Sequence, residues 1–167
     1  MTAPSRRFRV IESPLGPLTL TWDDEVGAVR GLHVHDQRYR DPDPSFGEPD
    51  DGACGALDDL AGELDEYFAG ERRTFTLPAD PPGTPFSRAV WDALRDVSYG
   101  ATTTYGALAA AIGSPRAAQA VGTANARNPV SLLVPCHRVL TAAGVPSGGG
   151  PGVERKRLLL AMERGTP

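Results

Sequence analysis

Apolar and polar residues alternate along the first third of the chain, and the spacing then changes to that of helices. Phe8-Arg9-Val10-Ile11-Glu12-Ser13 predicts a strand, and Pro14-Leu15-Gly16-Pro17 a turn. Leu18-Thr19-Leu20-Thr21-Trp22 is a second run of β-formers. Asp23-Asp24-Glu25 is a polar turn, and residues 26–34 a third strand with Leu32 and Val34 on one face. Short turns between three such strands predict an antiparallel meander. Residues 41–52, rich in Asp, Pro and Gly, read as a loop. Leu57, Leu60, Leu64 and Phe68 then fall at spacings of three, four and four, which predicts an amphipathic helix over 53–68 ended by Gly70. Thr74-Phe75-Thr76-Leu77 predicts a short strand, and residues 78–85, with four prolines, a linker.

Beyond the prolines the pattern is helical. Thr84 can cap a helix that begins at Pro85 and carries Phe86, Val90 and Leu94 as a stripe with Trp91 beside it. Ser98-Tyr99-Gly100 is a turn. Thr104 caps a short helix over 105–112, Gly113 stops it, and Ser114-Pro115 opens another over 116–125. Two short helices around a tight turn fit a helix-turn-helix. The second is rich in small residues, Ala117, Ala118, Ala120, Val121, Gly122 and Ala124, which suits close approach to a DNA groove or, more economically, tight packing in a core. An apolar run from Val130 to Val134 delivers Pro135-Cys136-His137-Arg138 to a glycine-rich loop over 144–152, and a last helix is expected over 154–164. In that helix Val153, Leu158, Leu159 and Met162 are apolar, while Arg155-Lys156-Arg157 reads as a solvated face able to add phosphate contacts.

Charge divides the chain as the pattern does. The net charge is -4, but residues 1–83 hold 8 Lys+Arg against 17 Asp+Glu, and residues 84–167 hold 9 against 4. An acidic part is thus joined to a basic part that carries Cys136 and can approach phosphates. No apolar run reaches membrane length, and the basic start, residues 1–9, lacks a hydrophobic signal segment, so a cytoplasmic protein with no membrane partner is expected. Cys54 and Cys136 lie far apart without CxxC spacing, which argues against a disulfide framework and a cysteine zinc site; no metal and no cofactor is expected. His33 and His35 are expected at the surface, and Trp22 and Trp91 in the core.

Cys136 is the candidate nucleophile. A lone cysteine is more often an inert buried side chain. Here Pro135 fixes the backbone before it, an imidazole follows it, and a loop lies beyond, which together present a reactive thiol. Cys54, at a helix start, reads as structural or merely exposed.

These motifs together resemble the O6-alkylguanine-DNA alkyltransferases. The resemblance runs over Leu64-Asp65-Glu66-Tyr67-Phe68-Ala69-Gly70, Gly83-Thr84-Pro85-Phe86, Val90-Trp91-Asp92-Ala93-Leu94, Tyr99-Gly100 and Thr104-Tyr105-Gly106. It continues through residues 117–125 and Asn128-Pro129 to Val134-Pro135-Cys136-His137-Arg138-Val139. It implies an α/β N-terminal domain, residues 1–79, with a small antiparallel sheet plus helix of ribonuclease-H-like form. It also implies a mainly α C-terminal domain, residues 80–167, of winged helix-turn-helix-like form. The implied activity is DNA repair by single-turnover transfer of the alkyl group of O6-alkylguanine, with O4-alkylthymine as a further candidate, to Cys136. The implied partner is double-stranded DNA, gripped in the minor groove by a monomer that flips the base out.

The resemblance also carries roles. His137 acts as base through a water, Glu163 orients it, Asn128 ties the cysteine loop to the recognition helix, and Tyr105 contacts the target nucleotide and protonates the leaving guanine. DNA contacts are implied for Thr104, Tyr105, Arg116, Ala117, Ala118, Gln119 and Arg127, and pocket positions for Arg138, Val139, Gly149 and Gly150. Backbone groups of Cys136 and Val139 would receive the guanine amino group, and the Gly150 NH would serve O6. Two positions depart from the family. Gln119 stands where an intercalating arginine is usual, and Gly149 where a tyrosine walls the alkyl pocket. Weaker flipping and a wider pocket follow, which leaves open a damage-recognition or scavenging role for the same thiol on a bulkier or non-DNA alkyl donor.

Overall fold

A computed structural model describes residues 5–37, 43–147 and 151–165. The chain divides into two compact units, 1–82 with 129–131 and 83–128 with 132–167.

In the first unit β1 (Arg6–Ile11), β2 (Leu18–Asp23) and β3 (Ala28–Val34) form the expected antiparallel ribbon. The sheet is nevertheless mixed, not purely antiparallel. The expected loop over 41–52, of which 41 and 42 lie outside the described residues, carries a 3-10 turn, Asp43–Phe46, and a short strand, β4 (Glu48–Pro49). β4 pairs parallel to β1, giving the order β3-β2-β1-β4. Gly47 makes this possible: at φ +89° a Cβ there would lie 2.1 Å from the Arg6 carbonyl oxygen. Proline, which has no N–H to give, sits in β4 at the edge of the sheet.

One sheet face and α1 (Gly55–Phe68) make the core. Leu18, Leu20, Val29, Leu32, Leu57, Leu60 and Leu64 are all wholly buried. The helix turns Tyr67 inward and leaves Phe68 half-buried, where the sequence pattern favours Phe68. The reason is the segment that follows: it returns along the Glu63–Tyr67 side, with Phe75 5.4 Å from the Tyr67 ring and the Glu63 carboxylate accepting from the Thr76 amide and hydroxyl. Those bonds occupy the backbone of the expected 74–77 strand, which is not a strand; β3 instead bridges at Ala79, through Val29 N to Pro78 O at 2.8 Å and Asp80 N to Val29 O at 3.1 Å. His33, expected at the surface, is wholly buried and stacked on Phe46 at 5.4 Å, since it faces the 3-10 turn that the pattern misses. Trp22 is only half-buried, its indole N–H donating to Asp24 at 3.0 Å.

The second unit opens with α2 (Pro85–Arg95), capped by the Thr84 hydroxyl on the Ser87 amide at 3.1 Å. Its buried edge is Val90, Trp91 and Leu94. β5 (Thr103–Thr104) leads into α3 (Tyr105–Ala111), capped by Thr104 on the Ala107 amide. Gly113, at φ +77°, turns the chain. The next helix, α4 (Ala118–Ala126), starts two residues later than expected. Ser114-Pro115-Arg116-Ala117 is spent on a turn closed by Ala117 N to Ser114 O at 2.9 Å, so Arg116 and Ala117 precede the helix. The small residues of α4 serve packing on one edge: Val121 and Ala124 are buried, the Trp91 indole donates to Ala124 O at 3.0 Å, and a Cβ on Gly122 would stand 3.7 Å from the Tyr105 ring. The opposite edge, Gln119, Ala120 and Thr123, is exposed.

β6 (Val139–Leu140) pairs parallel with β5. α5 (Pro151–Glu163) begins three residues earlier than expected, with Pro151 and Gly152 in its first turn, a position that proline's fixed φ suits. It buries Val153, Leu159 and Leu160 and exposes Leu158. Among the described residues no helix is long and apolar enough to cross a membrane.

Candidate active site

The thiol stands on a backbone held from three directions. Leu132 adopts φ 73°, an uncommon value for a residue with a side chain, and turns the apolar run toward Pro135. At Pro135, φ -81° and ψ 67° make an inverse γ-turn, closed by Cys136 N to Val134 O at 2.8 Å. The Asn128 amide donates to the same carbonyl at 2.7 Å, so the residue expected to tie the cysteine loop to the recognition helix contacts that loop. Cys136–Arg138 then forms a 3-10 turn in which Cys136 is half-buried while His137 and Arg138 are buried. Asn125, one helical turn before Asn128, donates to the Cys136 carbonyl at 3.3 Å. Sequence reasoning missed Asn125; its signal is a polar residue on the buried α4 edge of Val121, Ala124 and Asn128.

The residues that follow Cys136 belong to a buried cluster of charged and polar side chains. Glu163, the last residue of α5, has a fully buried side chain, and its Oε1 lies 2.7 Å from His137 Nε2. Arg138 donates to the same carboxylate through Nε and Nη2, both at 2.9 Å. Its Nη1 reaches the Val97 carbonyl at 2.7 Å, and the guanidinium stands 5.8 Å from the Tyr99 ring centroid. Arg138, expected as a pocket residue, donates to Glu163 and Val97, because a buried carboxylate needs a cation and a buried cation needs acceptors. Burial pushes the His137 pKa below its ordinary value, against the opposing hydrogen bond and charge of Glu163, so the ring is neutral near pH 7. Neutral imidazole carries one N–H. With Nε2–H given to Glu163, the lone pair falls on Nδ1, which is buried and has no hydrogen-bond partner among the described residues.

Other expected residues sit farther out. Tyr105 is half-buried, and its hydroxyl is 2.5 Å from the Ser147 hydroxyl, a partner sequence reasoning did not find. The Val139 side chain is buried and its backbone pairs with Thr103. Arg116, Gln119 and Arg127 are exposed, and Thr104, Ala117 and Ala118 half-buried, along the turn and helices of the helix-turn-helix. Gly149 and Gly150 lie outside the described residues. Among the described residues no three His, Cys, Asp or Glu side chains are grouped to hold a metal ion.

Fold and site together define a helix-turn-helix protein with a half-buried cysteine followed in sequence by a histidine that is buried against a glutamate. Comparison with known proteins names the class. Residues 7–81 match the family model of the 6-O-methylguanine DNA methyltransferase ribonuclease-like domain, and residues 85–165 that of the 6-O-methylguanine DNA methyltransferase DNA binding domain. The methylated-DNA–protein-cysteine methyltransferase of Mycobacterium tuberculosis is 45% identical over 158 residues, covering 94% of this chain and 92% of the relative. The constitutive methylated-DNA–protein-cysteine methyltransferase of Bacillus subtilis is 38% identical, with 94% of each chain covered. Among solved structures, the M. tuberculosis O6-methylguanine methyltransferase matches with a TM-score of 0.85 at 41% identity, covering 97% of this chain and 94% of that one. The M. tuberculosis protein solved in complex with DNA matches with a TM-score of 0.83 at 41% identity, covering 96% and 95%. The chain belongs to the 6-O-methylguanine DNA methyltransferase family, with a ribonuclease-like N-terminal domain and a DNA-binding C-terminal domain.

Proposed function

We propose that this chain repairs DNA by moving the alkyl group of O6-alkylguanine irreversibly onto Cys136, as a stoichiometric methylated-DNA–protein-cysteine methyltransferase. The observation that carries the residue assignment is the His137–Glu163 hydrogen bond at 2.7 Å, which leaves Nδ1 as a buried base beside the thiol-bearing residue. The Cys136 proton passes to Nδ1 through a water, and the imidazolium so formed is stabilised by the Glu163 carboxylate. The thiolate attacks the alkyl carbon on O6; the S–C bond forms, the C–O6 bond breaks, and the electron pair leaves with guanine, which takes a proton from Tyr105. The product thioether has no thiol left to ionise and is a poor leaving group, so each molecule acts once.

Duplex DNA is bound as a monomer through the minor groove, with the exposed edge of α4 toward the bases and Arg116 and Arg127 toward phosphates. Gln119 fills the gap left by the flipped nucleotide without adding charge. Asn125 and Asn128 hold the backbone on either side of Pro135, so the thiol enters the reaction already placed.

The test is intact mass. Incubation with a duplex containing O6-methylguanine should add one methyl group in place of a hydrogen at Cys136, and Cys136→Ala should stay unchanged. DNA binding with no mass change would make the protein a damage-recognition factor. Labelling only by a free alkylated base or a small electrophile would make it a scavenger. Either result overturns the proposal.

A further inference from the structure

We infer that Ser147 is a positioning residue for the leaving-group step, acting through Tyr105; the inference rests on the proton-donor role proposed above for that phenol. The two hydroxyls meet at 2.5 Å across 42 residues of sequence, and both residues are half-buried. Tyr105 is constrained on its other sides. It is the first residue of α3, its backbone fixed by the Thr104 cap at 3.1 Å, and its ring lies over Gly122, where a Cβ would come to 3.7 Å. With the ring so confined, the phenol oxygen has little freedom except rotation of its O–H, and the Ser147 hydroxyl is what that O–H meets.

The inventory of donors sets the sequence of events. A phenol has one O–H and can accept; serine has one O–H and two lone pairs. Before substrate arrives, either hydroxyl can donate to the other. Once Tyr105 turns its O–H to the base, only Ser147 can donate between them. As the C–O6 bond breaks, the Tyr105 proton moves to the leaving guanine and the phenol oxygen gains charge. A hydrogen bond given to that oxygen strengthens as the charge develops, so it favours the transition state over the bound substrate. The phenolate then regains a proton from solvent water. Ser147 itself loses no proton and touches neither the alkyl group nor the thiol.

The test separates this role from thiol activation, DNA binding and folding. Transfer from a duplex containing O6-methylguanine is measured at saturating DNA by intact mass, with the DNA Kd measured independently on the same variants. Alkylation of Cys136 by iodoacetamide is followed in parallel, because iodide leaves without needing a proton. In Ser147→Ala the transfer rate constant should fall about three- to tenfold, the worth of one neutral hydrogen bond. The DNA Kd and the iodoacetamide rate should be unchanged, and Ser147→Thr should restore transfer. In a Tyr105→Phe background, Ser147→Ala should add nothing, the mark of two residues acting as one unit. A Ser147→Ala rate equal to the unaltered protein's, an additive loss in the Tyr105→Phe background, or an equal slowing by iodoacetamide overturns the assignment while alkyl transfer itself stands. No transfer from the duplex by the unaltered protein overturns the proposed function and this inference with it.

Discussion

Replacing Glu163 by Gln should cost this protein more stability than any single surface change, and the reason is countable. The side chain is fully buried and accepts from His137 Nε2 at 2.7 Å, from Arg138 Nε and Nη2 at 2.9 Å each, and from the Gly100 amide at 3.5 Å. Glutamine keeps one acceptor oxygen and turns an NH₂ toward groups that are themselves donors. At least one buried donor loses its partner, and the guanidinium is left without a counter-charge beside the Val97 carbonyl and the Tyr99 ring face. Removing one partner of a buried ion pair costs about 3–5 kcal/mol. For a chain of this size each kcal/mol lowers Tm by roughly 2–4 °C, so a fall of about 6–20 °C is expected. Glu154→Gln is the control. It removes an exposed pair to Arg157 at 2.8 Å, both side chains more than half exposed, of a kind worth roughly 0–1 kcal/mol. Adding Arg138→Met to Glu163→Gln should recover much of the loss, because the uncompensated charge then disappears. Thermal and urea unfolding of the four proteins decides it. A Glu163→Gln protein within about 1 kcal/mol of the unaltered one, or a double variant no more stable than the single, would refute the reasoning.

Other consequences can be checked alongside. Burial holds the His137 pKa below about 6.5, so the unfolded chain takes up a proton there before the folded one does; this contribution to stability is complete above that pH and is lost as the pH falls toward the folded value. The alkyl-transfer rate should accordingly keep its base through pH 6.5 and fall only below it, and a pH–rate profile with its acid midpoint at or above 6.5 would contradict this. Asn128→Ala removes the 2.7 Å bond to Val134 O and should slow transfer and lower stability by about 1–3 kcal/mol; a denaturant titration with an unchanged midpoint would count against it. Gly83→Ala puts a Cβ 2.5 Å from the Trp91 ring, whose N–H is engaged with Ala124 O, and should cost about 1–3 kcal/mol with a changed tryptophan emission.

Sequence patterning located most elements because their signals are local. Alternation marked β1 to β3, and Thr84, Thr104 and Gly113 marked helix ends through bonds made within a few residues. What it missed depends on distant partners. β4 exists only because Arg6–Phe8 lies beside it, and the residue that permits the approach, Gly47, looks like one more loop glycine. His33 is buried because Phe46 covers it from another part of the chain. At the site, the Cys-His pair was visible as neighbours, and Glu163 through the family resemblance. The ion pair between Arg138 and Glu163 was not, because its partners lie 25 residues apart in sequence. Ser147 was hidden for the same reason, 42 residues from the phenol it meets.

The two-residue ladder between β5 and β6 has a consequence for how such a protein can change over time. Thr104 pairs with Leu140 and is followed at once by Tyr105; Thr103 pairs with Val139, which follows Cys136-His137-Arg138 at once. Backbone pairing therefore sets the offset between phenol and thiol, and no side-chain identity is needed to keep it. Substitutions beyond Leu140 do not touch that backbone pairing, although Ser147 in that stretch meets the phenol itself. Drift in that stretch leaves this backbone offset intact so long as Ser147 is kept, and a loop exchanged between relatives should preserve alkyl transfer only where it returns a hydroxyl to the phenol.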